Sequence, residues 1–127
     1  MADGAPHCGA CGAPLPWLVA ATSADFAPVA ERGPLSVLVD FWAPWCGPCR
    51  VVAPVGEQAA RTYAGRLKVV KVDTDAAPDL AERFSISGIP TLVLLRDGRV
   101  VDRVTGALDR RSLEAWLQRH LSGARTA

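Results

Sequence analysis

The sequence predicts an α/β domain: a central mixed sheet flanked by helices, in the order β-α-β-α-β-α-β-β-α. Three observations predict it. The run LSVLVDFW at 35–42 is rich in β-branched and aromatic residues and leads through a cysteine pair straight into a helix-compatible segment, which suits a strand covered on both faces. A second such run, LKVVKVD at 67–73, follows that helix, the arrangement of a parallel crossover unit. Finally, TLVLLR and RVVDRVT are joined by Asp97-Gly98, a strong hairpin signal, ahead of an amphipathic terminal segment.

Taken in order, residues 1–14 are rich in Gly, Ala and Pro, lack periodicity and read as a tail. The organised domain is expected over 15–122, with 123–127 as a second tail. Trp17 to Ala20 suits a short strand. Thr22 and Asp25 resemble a helix start, Pro28 must distort or shorten that helix, and Gly33-Pro34 ends it. Leu35 to Trp42 is the expected central strand. Arg50 to Tyr63 carries Val51, Val52, Val55, Ala59 and Tyr63 near helical spacing, with a kink predicted at Pro54. Leu67 to Asp73 is the next strand, and Pro78 to Phe84 a short helix with proline in its first turn. After the hairpin strands Thr91–Arg96 and Arg99–Thr105, a helix from about Asp109 buries Leu113, Trp116, Leu117 and Leu121 until Gly123 stops it.

A chain of 127 residues, half of them apolar, is long enough for one domain with its own core. Fourteen basic and 13 acidic side chains are mixed along it, so no strong field of either sign draws in nucleic acid or anionic lipid. The longest aliphatic stretch, Leu92 to Leu95, is too short to span a bilayer. The first residues lack the basic and apolar parts of a secretory signal, so a cytoplasmic location is expected. In a reducing compartment, the two CxxC pairs, Cys8/Cys11 and Cys46/Cys49, point to metal binding or redox chemistry rather than to a permanent disulfide framework.

The setting of Cys46 and Cys49 favours redox exchange over metal binding. A turn that leaves a strand and opens a helix offers unpaired N–H groups and the positive end of the helix dipole, which stabilise a thiolate at Cys46. Cys49 is one helical turn on, within disulfide reach. Gly47 leaves the approach open and Pro48 stiffens the link. A zinc site joining both pairs would have residues 12–45 between its knuckles, longer than the usual ribbon. Asp40 is a carboxylate inside an apolar strand, where desolvation should raise its pKa and make it a proton acceptor; a hydrated strand-end Asp is the plain alternative. Lys71 interrupts a valine strand and either pairs with Asp40 or simply reaches water from a packed stem. Pro90, before TLVLL, suits a strand start or an edge. Trp45 is expected as an apolar rim beside Cys46, with Trp42 partly beneath it.

Val39-Asp40-Phe41-Trp42-Ala43, Trp45-Cys46-Gly47-Pro48-Cys49-Arg50, Pro54, Lys71-Val72-Asp73, Gly88-Ile89-Pro90-Thr91, Asp97-Gly98 and Gly106-Ala107-Leu108 together resemble the thioredoxin family. The resemblance implies the thioredoxin fold and a protein-disulfide reductase that maintains cytosolic thiols, itself reduced by an NADPH-dependent flavoprotein, thioredoxin reductase. It implies that Cys46 attacks a substrate disulfide and that Cys49, more buried, resolves the mixed disulfide. Asp40 would deprotonate Cys49 through a water. Ile89-Pro90 would be cis and lie against the cysteine turn, with the Ile89 backbone free to pair with substrate. Gly88, Gly106 and Ala107 would complete a flat docking surface, and Thr91 would belong to the substrate-binding motif. No cofactor is required on this reading, the partners are disulfide-containing proteins, and a monomer is expected. The alternatives are a thiol oxidant or isomerase, and a non-catalytic scaffold subunit.

The amino-terminal stretch is similar to thioredoxins that carry a zinc ribbon of two CxxC knuckles, but it has only one knuckle. His7, Cys8 and Cys11 therefore leave three options: a partial zinc site, a second redox disulfide, or two free thiols. His120 is expected on the surface of the last helix.

Overall fold

The computed structural model describes residues 6–33, 35–106 and 109–126, with side chains through residue 121. Five strands form one mixed sheet: β1 (Leu18–Ala20), β2 (Ser36–Trp42), β3 (Leu67–Asp73), β4 (Thr91–Arg96) and β5 (Arg99–Thr105), in the spatial order β1-β3-β2-β4-β5. The run predicted as central is central. β2 pairs in parallel with β3, Asp40 opposite Lys71, and antiparallel with β4, Asp40 opposite Leu92. Among the described residues three α-helices cover the sheet: α1 (Gly47–Thr62), α2 (Pro78–Arg83) and α3 (Arg110–Thr126).

The period-two alternation of β2 divides the core. Leu38 faces Val52, Val55 and Ala59 of α1 and Leu113, Trp116 and Leu117 of α3, together with Val69, Leu92 and Leu94. Val37, Val39 and Phe41 point the other way, into a layer with Phe26, Leu80 and Phe84. Both layers are built of buried apolar side chains, and the sheet lies between them.

Several elements differ from expectation. The first helix is one π-helical turn, Ala27–Glu31; the stretch before it is a tight turn in which the Thr22 amide donates to Asp25 Oδ1 at 2.6 Å. Pro28, in the first turn, has no N–H to give and restricts the residue before it, which keeps a regular helix from starting at Thr22. α1 begins at Gly47 rather than Arg50, because Pro48 suits a first helical turn, and it continues through Pro54. α3 continues through Gly123 to Thr126: a glycine costs about 1 kcal/mol of helix propensity but does not by itself break the helix. His120 is only partly exposed. It and Trp116 both meet Asp102 Oδ2, at 2.9 and 2.8 Å, fastening α3 to β5.

Residues 6–15, most of them in the expected amino-terminal tail, form regular structure. His7 bridges to Pro14, the Cys8 amide donates to Ala13 at 2.8 Å, and Leu15 donates to Pro6 at 2.9 Å, closing a small hairpin. Pro14 lies against Gly65, where a Cβ would come within 2.8 Å of it. Among the described residues no helix is long and apolar enough to cross a membrane.

The hairpin turn has positive φ at both central residues, 54° at Asp97 and 76° at Gly98, as a type I′ turn requires. A Cβ on Gly98 would also lie 3.0 Å from the Glu31 carbonyl oxygen. Gly98→Val is therefore expected to lose about 1–3 kcal/mol of stability. An unchanged urea midpoint would show that the turn relaxes freely.

Candidate active site at the Cys46-Cys49 turn

β2 ends at Trp42, and the chain crosses Ala43-Pro44-Trp45 before Cys46 takes the N-cap of α1 in an extended conformation (φ −84°, ψ 106°). An N-cap side chain normally accepts from an amide in the first turn. Here sulfur does so: Cys46 Sγ accepts from the Cys49 backbone N–H at 3.2 Å. Cys46 and Cys49 are joined as a disulfide with their Cα atoms 5.3 Å apart. A Cβ on Gly47 would meet nothing within 4 Å, so the approach along the turn is open.

Burial does not separate the two cysteines as the resemblance implies. In this disulfide form Cys46 is 3% exposed and Cys49 5%, both packed with Ala43, Trp42 and Ile89. Electrostatics separates them instead, because only Cys46 stands at the helix terminus and receives an amide proton.

Asp40 lies on the same sheet face as Leu38, beneath the start of α1. It is 4% exposed and its Oδ1 has no hydrogen-bond partner. Burial pushes its carboxyl from the usual 3.8 up to about 6, with the Lys71 charge pulling the other way. Lys71 is its register partner on β3, yet among the described residues the two make no direct ion pair. The ammonium instead sits 5.0 Å above the Trp42 ring, so the coupling to Asp40 acts through space. A cavity of about 110 Å³ lies in the same corner, lined by Trp42, Cys49, Ala53 and Lys71 among others, with room for water.

On the other side, a groove of about 370 Å³ runs from Trp45 past Thr74 and Ile86 to Gly88 and Ile89. Trp45 is 69% exposed, held by a 2.9 Å bond from its Nε1 to Asp75 Oδ2. Sequence reasoning missed Asp75. The only hint was an acid-rich turn after β3, and nothing local links it to a tryptophan thirty positions earlier. Trp42 is half-buried and packs against Ala43, Cys46 and Cys49. The Ile89-Pro90 peptide is cis. Thr91 Oγ1 donates to Gly88 O at 2.5 Å and Gly106 N–H donates to Pro90 O at 2.8 Å, which ties the loop before β4 to the end of β5. A Cβ on Gly106 would meet open space; Ala107 lies outside the described residues.

His7, Cys8 and Cys11 are not part of this site. Cys8 and Cys11 are free thiols, and among the described residues no three potential metal ligands gather in one place. A closed zinc site needs four donors, so the two thiols of this hairpin do not fit one.

Comparison with known proteins agrees with the geometry. A family model described as Thioredoxin matches residues 17–119. Thioredoxin 1 of Synechococcus elongatus is 48% identical over 102 residues, covering 80% of this chain and 95% of that protein. Thioredoxin 1 of a Nostoc species is 53% identical over 85 residues, 67% of this chain and 79% of that one. The thioredoxin of Staphylococcus aureus is 42% identical over 104 residues, 82% and 98% respectively.

An acid whose folded pKa is raised opposes folding once it must ionise. From 3.8 to about 6 the native state holds the proton that the unfolded chain has lost, so stability falls as pH rises through that window. The full difference is on the order of 3 kcal/mol. Asp40→Asn is expected to be more stable than the parent at pH 7 and to lose that advantage as pH falls toward 3.8. Denaturation curves at several pH values check this, and equal stability at pH 7 would contradict the buried, unpartnered carboxyl.

Proposed function

The chain belongs to the thioredoxin family, and on that premise we propose how its residues divide the work of a protein-disulfide reductase. It is a thiol-disulfide oxidoreductase, and the observation that carries the assignment is Cys46 at the N-cap of α1, bonded to Cys49 and receiving its amide proton.

In the reduced state the Cys49 N–H and the helix terminus favour the Cys46 thiolate. A substrate disulfide docks in the groove between Trp45 and Ile89, with an extended segment beside the Ile89 backbone. The Cys46 thiolate attacks one substrate sulfur, forming a mixed disulfide and expelling the other as a thiolate. Cys49 then loses its proton and attacks Cys46 Sγ, which breaks the mixed bond, releases the second substrate thiol and leaves Cys46-Cys49 oxidised. Two electrons have moved to the substrate. The proton of Cys49, which lines the small cavity together with Lys71, passes through a water to the Asp40 carboxylate, whose pKa burial raises and the Lys71 charge partly lowers. Trp45, Gly47, Pro48, Pro90, Thr91 and Gly106 shape the approach rather than react.

The reading extends to a cytoplasmic location and to an NADPH-dependent flavoprotein as electron donor, since a dithiol consumed at each turnover needs a continuous source of two electrons. It also treats 15–122 as one redox domain acting as a monomer.

Dithiothreitol-driven reduction of a model disulfide protein tests the core of this. Cys46→Ser should fall to the rate of dithiothreitol alone, and full activity would remove Cys46 as nucleophile. Cys49→Ser should accumulate the mixed disulfide. Asp40→Asn should slow its resolution by about tenfold or more at pH 7. The parent rate should decline as pH drops below about 6, where Asp40 takes up its proton. Identical resolution rates with and without the carboxyl would defeat its role as proton acceptor.

A further inference from the structure

The amino-terminal hairpin holds chemistry that the Cys46 site does not use. The Cys8 amide donates to Ala13 O, and the Gly12 amide donates back to Cys8 O, both at 2.8 Å. That five-residue turn, with Gly12 at a φ of 75°, folds residues 8–11 so that cysteines three apart come within disulfide reach. Its polar neighbours, first the Cys11 backbone, then the Ala10 backbone and the Cys11 thiol, hold the Cys8 thiol below its ordinary range. Cys8 is half-buried and Cys11 exposed.

Position decides which partner can reach the pair. The hairpin rests on Gly65, ahead of the first residue of β3, whereas Cys46 follows the last residue of the parallel strand β2. Seven-residue strands separate the two ends by about 20 Å. Cys46 of the same chain therefore cannot attack Cys8 or Cys11. Two thiols also complete a disulfide, while they supply only half the donors of a structural zinc ion.

We propose that Cys8 and Cys11 form a second dithiol-disulfide couple, at the end of the molecule opposite Cys46, which is reduced in trans by the Cys46-Cys49 dithiol of another copy. In the oxidising direction the Cys8 thiolate attacks a low-molecular-weight disulfide and expels one of its thiolates. The deprotonated Cys11 attacks Cys8 sulfur and expels the second, so one disulfide becomes two thiols and Cys8-Cys11 gains the bond. In the reverse direction Cys46 of a second copy attacks Cys8-Cys11, and Cys49 resolves the inter-chain bond. Two electrons pass to the hairpin, both of its thiols regain protons, and the second copy ends oxidised. The reducing half rests on the reductase reading above.

The test uses full-length protein with Cys46 and Cys49 both replaced by serine. On treatment with oxidised glutathione it should lose both titratable thiols and become two hydrogen masses lighter, with no glutathione retained. Full-length Cys8→Ser/Cys11→Ser protein, reduced beforehand, should then restore both thiols. Its Cys49→Ser derivative should give a covalent dimer on non-reducing gels. Two retained glutathione adducts, thiols that resist oxidation, or zinc held at the hairpin that blocks oxidation would overturn the couple. Oxidised hairpin left unreduced by the second copy would overturn reduction in trans. Cys8→Ser/Cys11→Ser protein should still reduce a model disulfide protein at the parent rate, so a failure at the hairpin is distinguishable from a failure at Cys46.

Discussion

The 3.2 Å contact from the Cys49 amide to Cys46 sulfur is the constraint on which the rest of the site depends. It exists only if a helix begins immediately after Cys46, because only a helical first turn brings the amide of residue i+3 back to the N-cap. Pro48 and the open Gly47 allow that start, and β2 delivers the chain to it from the middle of the sheet. A helix beginning at Arg50 would leave Cys46 in a loop without an amide donor and remove the electrostatic difference between two equally buried sulfurs.

Beneath this turn the fold tolerates an expensive group. Asp40 occupies a position that Leu38 and Leu92 would lead one to fill with another aliphatic side chain, and one of its oxygens has no partner. Lys71 offsets part of the penalty through space but is held over Trp42 rather than against the carboxylate. A direct ion pair would drop the carboxyl back toward its ordinary value and leave it a weak base. Distance thus keeps Asp40 ionisable near neutral pH and basic enough to take a proton. The apolar burial in the layers on both faces of the sheet offsets the cost of such a group.

The molecule has two chemically distinct ends because β1, β2 and β3 all run the same way. Their C-terminal ends carry Cys46, Trp45 and the Ile89-Pro90 loop; their N-terminal ends carry the Cys8-Cys11 hairpin. The parallel arrangement that builds the active site also keeps the second thiol pair away from it.

Much of the fold was legible in the sequence, since strand runs, the Asp97-Gly98 turn and the apolar period of α3 are local signals with a direct physical meaning. The two cysteines, Pro90 and Asp40 could be singled out for the same reason: each breaks or punctuates a pattern within a few residues. Pro28 shortened the first helix to one π turn, as its missing N–H requires. What the sequence misplaced was also physical: Gly123 did not stop α3, because propensity is a weak force beside packing. The hairpin of residues 6–15, the hold of Asp75 on Trp45, the clasp of Trp116 and His120 on Asp102, and the absence of a direct Asp40-Lys71 ion pair among the described residues are decisions of tertiary structure. Each depends on where side chains far apart in the chain meet, and local pattern carries no information about that distance. The sequence by itself determined the elements and the reactive sulfurs; the tertiary structure decided which neighbours tune them.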